Sequence, residues 1–355
     1  MGIIYFYLFA HNIYFLLYSN LLVKFELFTF VAYIFFLIPQ LLTLFLYKRI
    51  KYIKTVNVER YNVAVSISLL FYLIYLILIT DYDAFSPFNR MTRETEFYNS
   101  TLNAYIGIIF KVALSFFIIN QVINKRRVFN FFVYLAIIYF IFELLYLGAR
   151  RNSLFVITCV VFSYLTYSDK TLRLYPLAII SFIVLIFFGS FREILNIGHT
   201  ENFNFSEILS NGFDDNEFSY VSNYIIRYLD VFHSLTFDEI LTNIKRLILF
   251  VPGARTVFSL NTVPSHYGFY PNLIGELIVY ASYFSGLIIG IIISATIIMY
   301  RRNVIFGIIS IAISFEMYRT SLPEYVTTLA IAYFVILFLF VFTKRNSFYS
   351  SLSNA

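Results

Sequence analysis

Apolar segments long enough to cross a lipid bilayer recur along most of this chain and are separated by short polar connections. Hydrophobic residues make up 60% of the sequence, and charged residues only 13%. A helix rises about 1.5 Å per residue, so about 20 apolar residues cross a hydrocarbon core about 30 Å thick. The pattern therefore predicts an all-α, polytopic integral membrane protein.

We predict about ten transmembrane helices and one large loop between the seventh and the eighth. The loop, residues 191–271, divides a seven-span N-terminal membrane part (1–190) from a three-span C-terminal part (272–345), which a short tail (346–355) follows. The predicted spans are residues 2–18, 27–47, 61–80, 103–123, 129–147, 152–168, 173–190, 273–299, 303–319 and 324–343.

The distribution of Lys and Arg predicts which ends of these spans face the cytosol. Basic residues concentrate in alternate connections, such as residues 48–60, 125–127 and 301–302, and the positive-inside rule assigns these connections to the cytosol. Both termini are then cytosolic, and the loop 191–271 lies on the outer face. The net charge of +6 belongs to helix ends rather than to one soluble face, so it does not indicate a nucleic-acid partner.

Several arginines lie at predicted outer helix ends, against this bias. They are Arg150, Arg151, Arg192 and Arg319. A guanidinium group can bind phosphate through two parallel hydrogen bonds, so these residues suggest a site for a phosphorylated, membrane-anchored substrate. The alternative is that each arginine reaches the headgroups and binds lipid phosphate without a further role.

The large loop has the pattern of amphipathic helices rather than of a tether. Apolar side chains recur at helical spacing from Tyr220 to Phe232. A second helix is predicted to begin at Thr236, with Glu239 completing a capping box, and to stop at Pro252. We expect these helices to lie in the plane of the membrane interface or to cap a cavity between spans.

The densest group of chemically active residue types follows these helices and comprises Arg255, His266 and Glu276. A carboxylate within an apolar segment is costly unless it is paired or hydrated, so Glu276 indicates function. Lys111 and Glu143 also lie within predicted spans, and we interpret them as a structural pair. The single cysteine, Cys159, lies in an apolar segment, which excludes an intramolecular disulfide and a cysteine-based metal site.

The segment that contains Glu276 resembles a known family. Gly275-Glu276 followed by Tyr-Ala-Ser-Tyr-Phe-Ser-Gly at 280–286 resembles the pattern of bacterial O-antigen polymerases, the Wzy-type oligosaccharide repeat-unit polymerases. Gly148-x-Arg150 is similar to their glycine–arginine element at an outer helix end. The resemblance extends over most of the chain in span layout and in the large loop. It implies a glycosyltransferase-C-like protein of the bacterial inner membrane.

The resemblance also implies an activity: glycosyl transfer that joins undecaprenyl-pyrophosphate-linked oligosaccharides at the periplasmic face, with no metal or other cofactor. The expected partners are these lipid-linked units, the bilayer, a chain-length regulator and a repeat-unit flippase. Either His266 or Glu276 would accept the proton of the attacking hydroxyl group. The residues expected to bind pyrophosphate are Arg150, Arg192 and Arg255, with Arg151, Glu193 and Arg319 as secondary candidates.

Three alternatives stay open at this point. A metal-dependent lipid-linked glycosyltransferase would use Asp81 and Asp83 at the end of the third predicted span. A ligase that transfers the polymer to lipid A would need a similar set of outer arginines and a histidine. A repeat-unit flippase or other transporter is a non-enzymatic alternative, for which an internal repeat is expected, and the sequence shows no repeat.

Overall fold

The computed structural model describes residues 2–18, 27–51, 101–123, 151–167, 273–318, 320 and 322–352. Every element within these ranges is helical, in agreement with the predicted all-α class. There are also two 3-10 turns: Tyr47–Arg49 follows an α-helix, and Ser282–Phe284 separates two α-helices. The α-helices are α1 (Gly2–Tyr18), α2 (Leu27–Leu46), α3 (Thr101–Ile123), α4 (Arg151–Tyr167), α5 (Leu273–Ala281), α6 (Ser285–Arg302), α7 (Val304–Glu316) and α8 (Leu322–Leu352).

Within the described ranges, two segments, Leu27–Arg49 and Ser282–Arg302, are long and apolar enough to cross a membrane. The first is α2 with its following 3-10 turn, and the second is α6 with its preceding 3-10 turn. The predicted spans 61–80, 129–147 and 173–190 and the loop 191–271 lie outside the described residues. The predicted spans 2–18, 103–123, 152–168, 303–319 and 324–343 are largely described, but their helices have apolar stretches of only 10–17 residues. The full set of ten spans therefore stays a prediction.

The eighth predicted span differs from the structure. The sequence predicts one helix over 273–299, whereas the structure contains α5, the 3-10 turn Ser282–Phe284 and then α6. Ser282 has a φ of 50°, a left-handed conformation that is uncommon for a residue other than glycine. The segment Ser282–Arg302 has 21 residues and rises about 30 Å, so it is long enough to cross a hydrocarbon core without α5.

Helices α2 and α6 pack closely because α6 presents small residues to α2. A Cβ atom added at Gly286 would lie 1.8 Å from the carbonyl oxygen of Ala32, and one added at Gly290 would lie 2.5 Å from that of Phe36. Glycines four residues apart occupy one helix face and let two backbones approach closely, a common contact between helices in lipid. Gly286 faces Ala32 and Gly290 faces Phe36, so the residue numbers increase in the same direction along both helices. Helices α2 and α6 therefore run parallel.

Helix α7 follows α6 after a single residue, Asn303. The side-chain oxygen of Asn303 accepts hydrogen bonds from the backbone N–H groups of Ile305 (3.1 Å) and Phe306 (3.3 Å), which caps α7. Gly307 faces the backbone of Tyr300, where an added Cβ atom would lie 2.0 Å from its Cα atom. The cap and the glycine together allow a tight antiparallel hairpin of α6 and α7.

The chain divides into two compact units that do not follow the order of the sequence. One unit combines Met1–Ile53 with Ser210–Leu329, and the other combines Lys54–Leu209 with Ala330–Ala355. The first unit contains α1, α2, α5, α6 and α7, and in the second α3 packs on α4. The sequence-based boundaries at residues 190 and 271 stay a prediction, because the loop between them lies outside the described residues.

Helices α1 and α2 expose large apolar side chains and bury several polar ones. Large apolar side chains on α1 and α2 are exposed, among them Phe9 (64%), Leu41 (63%) and Phe45 (76%). Polar side chains of the same helices, such as His11 and Gln40, are buried between the helices. In water the opposite arrangement is favoured, because exposed apolar surface is costly and polar groups are solvated.

Candidate functional site

The described residues bring together two parts of the predicted site, the start of α5 and the segment after α7. The backbone N–H group of Leu273 donates a hydrogen bond to the carbonyl oxygen of Thr320 at 2.7 Å. Glu276 lies in the first turn of α5, and Arg319 directly precedes Thr320 in the chain. The two segments that carry these predicted residues are therefore in direct contact, although they are distant in sequence.

The other predicted site residues are not assembled by the described part of the structure. Arg151 is the first residue of α4, which belongs to the second compact unit. The predicted residues that lie outside the described ranges are Arg150, Arg192, Glu193, Arg255, His266 and Arg319, together with the alternative metal ligands Asp81 and Asp83. Their roles stay predictions.

Glu316 is a buried carboxylate near this contact that the sequence analysis missed. It is the last residue of α7 and is only 6% exposed, and its backbone carbonyl accepts a hydrogen bond from the Thr320 hydroxyl at 3.0 Å. The signal that selected Glu276, an acidic residue within an apolar segment, also applies to Glu316. The sequence interpretation gave Glu316 no role, although it lies within the predicted span 303–319.

A buried histidine joins α1 to the end of α7. His11 has no exposed surface, and its Nδ1 atom lies 2.7 Å from the hydroxyl oxygen of Tyr318. Its Nε2 atom lies 3.1 Å from the hydroxyl oxygen of Ser314, to which the Tyr7 hydroxyl also donates at 2.8 Å. We refer to Tyr7, His11, Ser314 and Tyr318 as the His11 network.

The hydrogen-bond pattern of the His11 network assigns the tautomer of the imidazole. The Ser314 hydroxyl donates to the carbonyl oxygen of Ile311 at 2.7 Å, so its oxygen acts as acceptor for Tyr7 and for Nε2–H of His11. With Nε2 protonated, Nδ1 is the acceptor for the Tyr318 hydroxyl at 2.7 Å, and this hydroxyl is also within donor distance (3.3 Å) of the backbone carbonyl oxygen of His11. Both ring nitrogens are engaged within the protein, so His11 joins α1 to the end of α7.

Aromatic contacts add to this attachment of α7 to α1. The His11 ring stacks on Phe315 with the centroids 4.5 Å apart, and Tyr14 stacks on Tyr318 at 5.0 Å. Tyr318 is thus held by α1, while Thr320 is held by α5 through Leu273. The residues on either side of Arg319 in the chain are each fixed by a different helix.

A neighbouring face of α1 is joined to α2 by a second polar cluster. The Asn12 amide donates to the side-chain oxygen of Gln40 at 3.2 Å, and the Tyr33 hydroxyl donates to the Asn12 side-chain oxygen at 3.0 Å. Hydrogen bonds between side chains specify which helices pair where the surrounding lipid provides no hydrophobic preference. Through His11 and Asn12, α1 therefore connects α7 with α2.

Replacing His11 with phenylalanine tests the His11 network. The phenyl ring should keep the stacking on Phe315 but leave the hydroxyl groups of Ser314 and Tyr318 without the ring nitrogens. We expect the free energy of unfolding to fall by about 1–3 kcal/mol, the cost of buried polar groups that lose a partner. Thermal unfolding of the purified protein in detergent measures the change. Phe9→Leu, on the exposed face of the same helix, is the control, and equal stability of both variants would contradict this role.

In the second unit, α3 carries a buried lysine. Lys111 is 1% exposed, and its ammonium nitrogen lies 4.9 Å from the centroid of the Phe155 ring of α4, within the range of a cation–π interaction. Its predicted partner Glu143 lies outside the described residues, so that pairing stays a prediction. The contact with Phe155 shows that Lys111 contributes to the packing of α3 on α4.

Within the described ranges, no three His, Cys, Asp or Glu side chains are grouped so that they could hold a metal ion. No protein-family model matches the chain, and neither a curated protein nor a solved structure matches it.

Proposed function

We propose that this chain is a bacterial inner-membrane polymerase that joins undecaprenyl-pyrophosphate-linked oligosaccharide repeat units. The observation that carries the proposal is the hydrogen bond between Leu273 and Thr320. It connects the helix of Glu276, a candidate base, with the segment that contains Arg319, a candidate phosphate ligand. The buried residue Glu316 lies one turn before Thr320, and its carboxylate is a further candidate for the base.

The polytopic membrane topology is part of the proposal. It is supported by the two membrane-length segments and by the exposed apolar and buried polar side chains of α1 and α2. The guanidinium group of Arg301 lies 5.2 Å from the Tyr47 ring, so the basic ends of α2 and α6 are adjacent. Their proximity is compatible with the predicted topology, in which the connections that begin at residues 48 and 301 are both assigned to the cytosol.

In the proposed reaction, an acceptor sugar hydroxyl attacks the anomeric carbon of the donor unit. The new C–O bond forms as the bond to the lipid pyrophosphate breaks, and the hydroxyl proton passes to His266 or Glu276. The departing pyrophosphate concentrates negative charge at the membrane surface. Arg150, Arg192 and Arg255 stabilise that charge through bidentate hydrogen bonds, which explains why arginines occur on the outer side against the charge bias.

One observation favours a second candidate, a repeat-unit flippase. Helices α5 and α6 are separated by a 3-10 turn in which Ser282 has a positive φ, so the predicted eighth span is an interrupted helix. Interrupted membrane helices in transporters expose backbone groups that bind substrate. A flippase would transport the same lipid-linked oligosaccharides but would form no glycosidic bond.

Analysis of the surface polysaccharide from a strain that lacks the gene separates these functions. If the protein is the polymerase, we expect the ladder of long chains to be replaced by single repeat units attached to the lipid anchor. Loss of a ligase or of a flippase would instead leave no attached repeat unit, and loss of a flippase would also trap lipid-linked units in the cytosolic leaflet. An unchanged ladder would refute all three functions.

A further inference from the structure

Basic side chains of two helices meet at one end of the α2–α6 pair. Lys48 and Arg49 follow α2 in the 3-10 turn that begins with Tyr47, and Arg301 and Arg302 end α6. Neither Leu27–Lys51 nor Ser285–Asn303 contains an Asp or Glu, so no carboxylate of these segments offsets the charge. This end of the pair therefore concentrates positive charge.

Three of these four residues have roles that need no ligand. Cations near the C-terminus of a helix offset the negative end of its dipole, and basic residues also orient a span in the membrane. Exposed side chains suffice for both roles, and Lys48, Arg49 and Arg302 are exposed. Arg301 is different, because it is half-buried between the helices.

The guanidinium group of Arg301 contacts the side chain of Tyr47, which restricts its orientation. The carbon of its guanidinium group lies 5.2 Å from the centroid of the buried Tyr47 ring. Its Nε atom is buried and makes no hydrogen bond to the described residues. The guanidinium fork is thus preorganised, and its planar donors match the oxygens of a phosphate group.

We propose that this end of the α2–α6 pair binds the headgroup phosphate of an anionic phospholipid. Arg301 binds the phosphate, Tyr47 orients the guanidinium group, and Lys48, Arg49 and Arg302 attract the negative charge.

The position of the site favours a lipid over a soluble anion. It lies at the ends of the two membrane-length segments, Leu27–Arg49 and Ser282–Arg302, where lipid headgroups are expected. Just before Tyr47, α2 exposes Leu42 (58%) and Phe45 (76%), which offer an apolar surface for an acyl chain. The binding requires that the helix pair crosses a membrane, but it is independent of the polymerase activity.

Lipid titration of the full-length protein in detergent tests this proposal. We expect phosphatidylglycerol to raise the thermal unfolding temperature and phosphatidylcholine to have little effect. Arg301→Gln should weaken the apparent affinity for phosphatidylglycerol about tenfold or more, because a hydrogen bond to a charged group is lost. Arg301→Lys should behave similarly, because it keeps the charge but loses the planar fork. Arg302→Gln, the matched control, should change the affinity only a few-fold.

Specific outcomes would overturn the proposal. Equal stabilisation by both lipids, or equal small losses in Arg301→Gln and Arg302→Gln, would mean that the charges act only on topology and on the helix dipoles. Stabilisation by inorganic pyrophosphate to the same degree would assign the site to a soluble anion. If Arg301→Gln does not fold, the affinity of Tyr47→Leu for phosphatidylglycerol is measured instead. This variant keeps every charge but removes the ring that orients Arg301, so we expect weaker binding. Unchanged lipid affinity in that variant would refute the proposed site.

Discussion

Replacing Gly286 with leucine is expected to separate α2 from α6 and to cause the largest loss of stability of any single substitution proposed for this protein. An added Cβ atom would lie 1.8 Å from the carbonyl oxygen of Ala32, which is backbone and cannot rotate away. Overpacking of a close contact typically costs about 1–3 kcal/mol, and we expect a value at or above the upper end. Thermal unfolding and the yield of monodisperse protein in detergent measure the loss.

The control for this experiment adds the same side chain elsewhere on the helix. Ala295 lies on the exposed face of α6, so Ala295→Leu should leave the unfolding temperature close to that of the wild type. The unfolding temperature of Gly290→Ala should lie between those of Gly286→Leu and Ala295→Leu, because its added Cβ atom would lie 2.5 Å from the carbonyl oxygen of Phe36. Wild-type stability of Gly286→Leu would show that the close crossing of α2 and α6 is absent from the protein in detergent.

If the chain is the proposed polymerase, removing the proposed catalytic base is expected to have the largest effect on its activity. We expect His266→Ala or Glu276→Gln to lower the rate of polymerisation about 10²- to 10⁴-fold, the range for loss of a general base. His266 is the preferred candidate, because an imidazole accepts protons near neutral pH without a special environment. The assay is polymerisation of purified lipid-linked repeat units in vitro, with binding of the units measured in parallel.

Binding of the lipid-linked units should survive both substitutions, because the phosphate contacts are assigned to arginines. Asp169→Asn, in a predicted cytosolic connection, is the control and should keep full activity. If both variants turned over at nearly the wild-type rate, the base would be another carboxylate. Glu316→Gln would then be tested first, because Glu316 is buried near the contact of Leu273 with Thr320, followed by Glu193, Asp81 and Asp83.

The sequence by itself determined the helical class and the bounds of several helices. The predicted spans 2–18, 27–47, 103–123 and 152–168 agree with α1 to α4 to within about two residues. This success has a local physical reason. Where a helix begins and ends depends largely on the apolar pattern of the segment and on the polar residues that bound it, and both can be read directly from the sequence.

The sequence also directed attention to the start of α5 through Glu276, but it did not reveal what this helix contacts. The hydrogen bond from Leu273 to Thr320 joins two backbone groups that no residue type identifies. The sequence likewise indicated no role for His11, because this role depends on hydrogen bonds to Ser314 and Tyr318, which lie about 300 residues later in the chain.

Only the tertiary structure decided how the helices pair and where the predicted eighth span is interrupted. Lipid is as apolar as the side chains that face it, so hydrophobicity does not distinguish a lipid-facing from a helix-facing surface. The pairing of α2 with α6 depends instead on two glycines that match the backbone of Ala32 and Phe36. The interruption at Ser282 lies within one apolar segment, so the hydropathy of the sequence does not change at the point where the helix is interrupted. Such features depend on contacts between distant residues, and these contacts exist only in the folded chain.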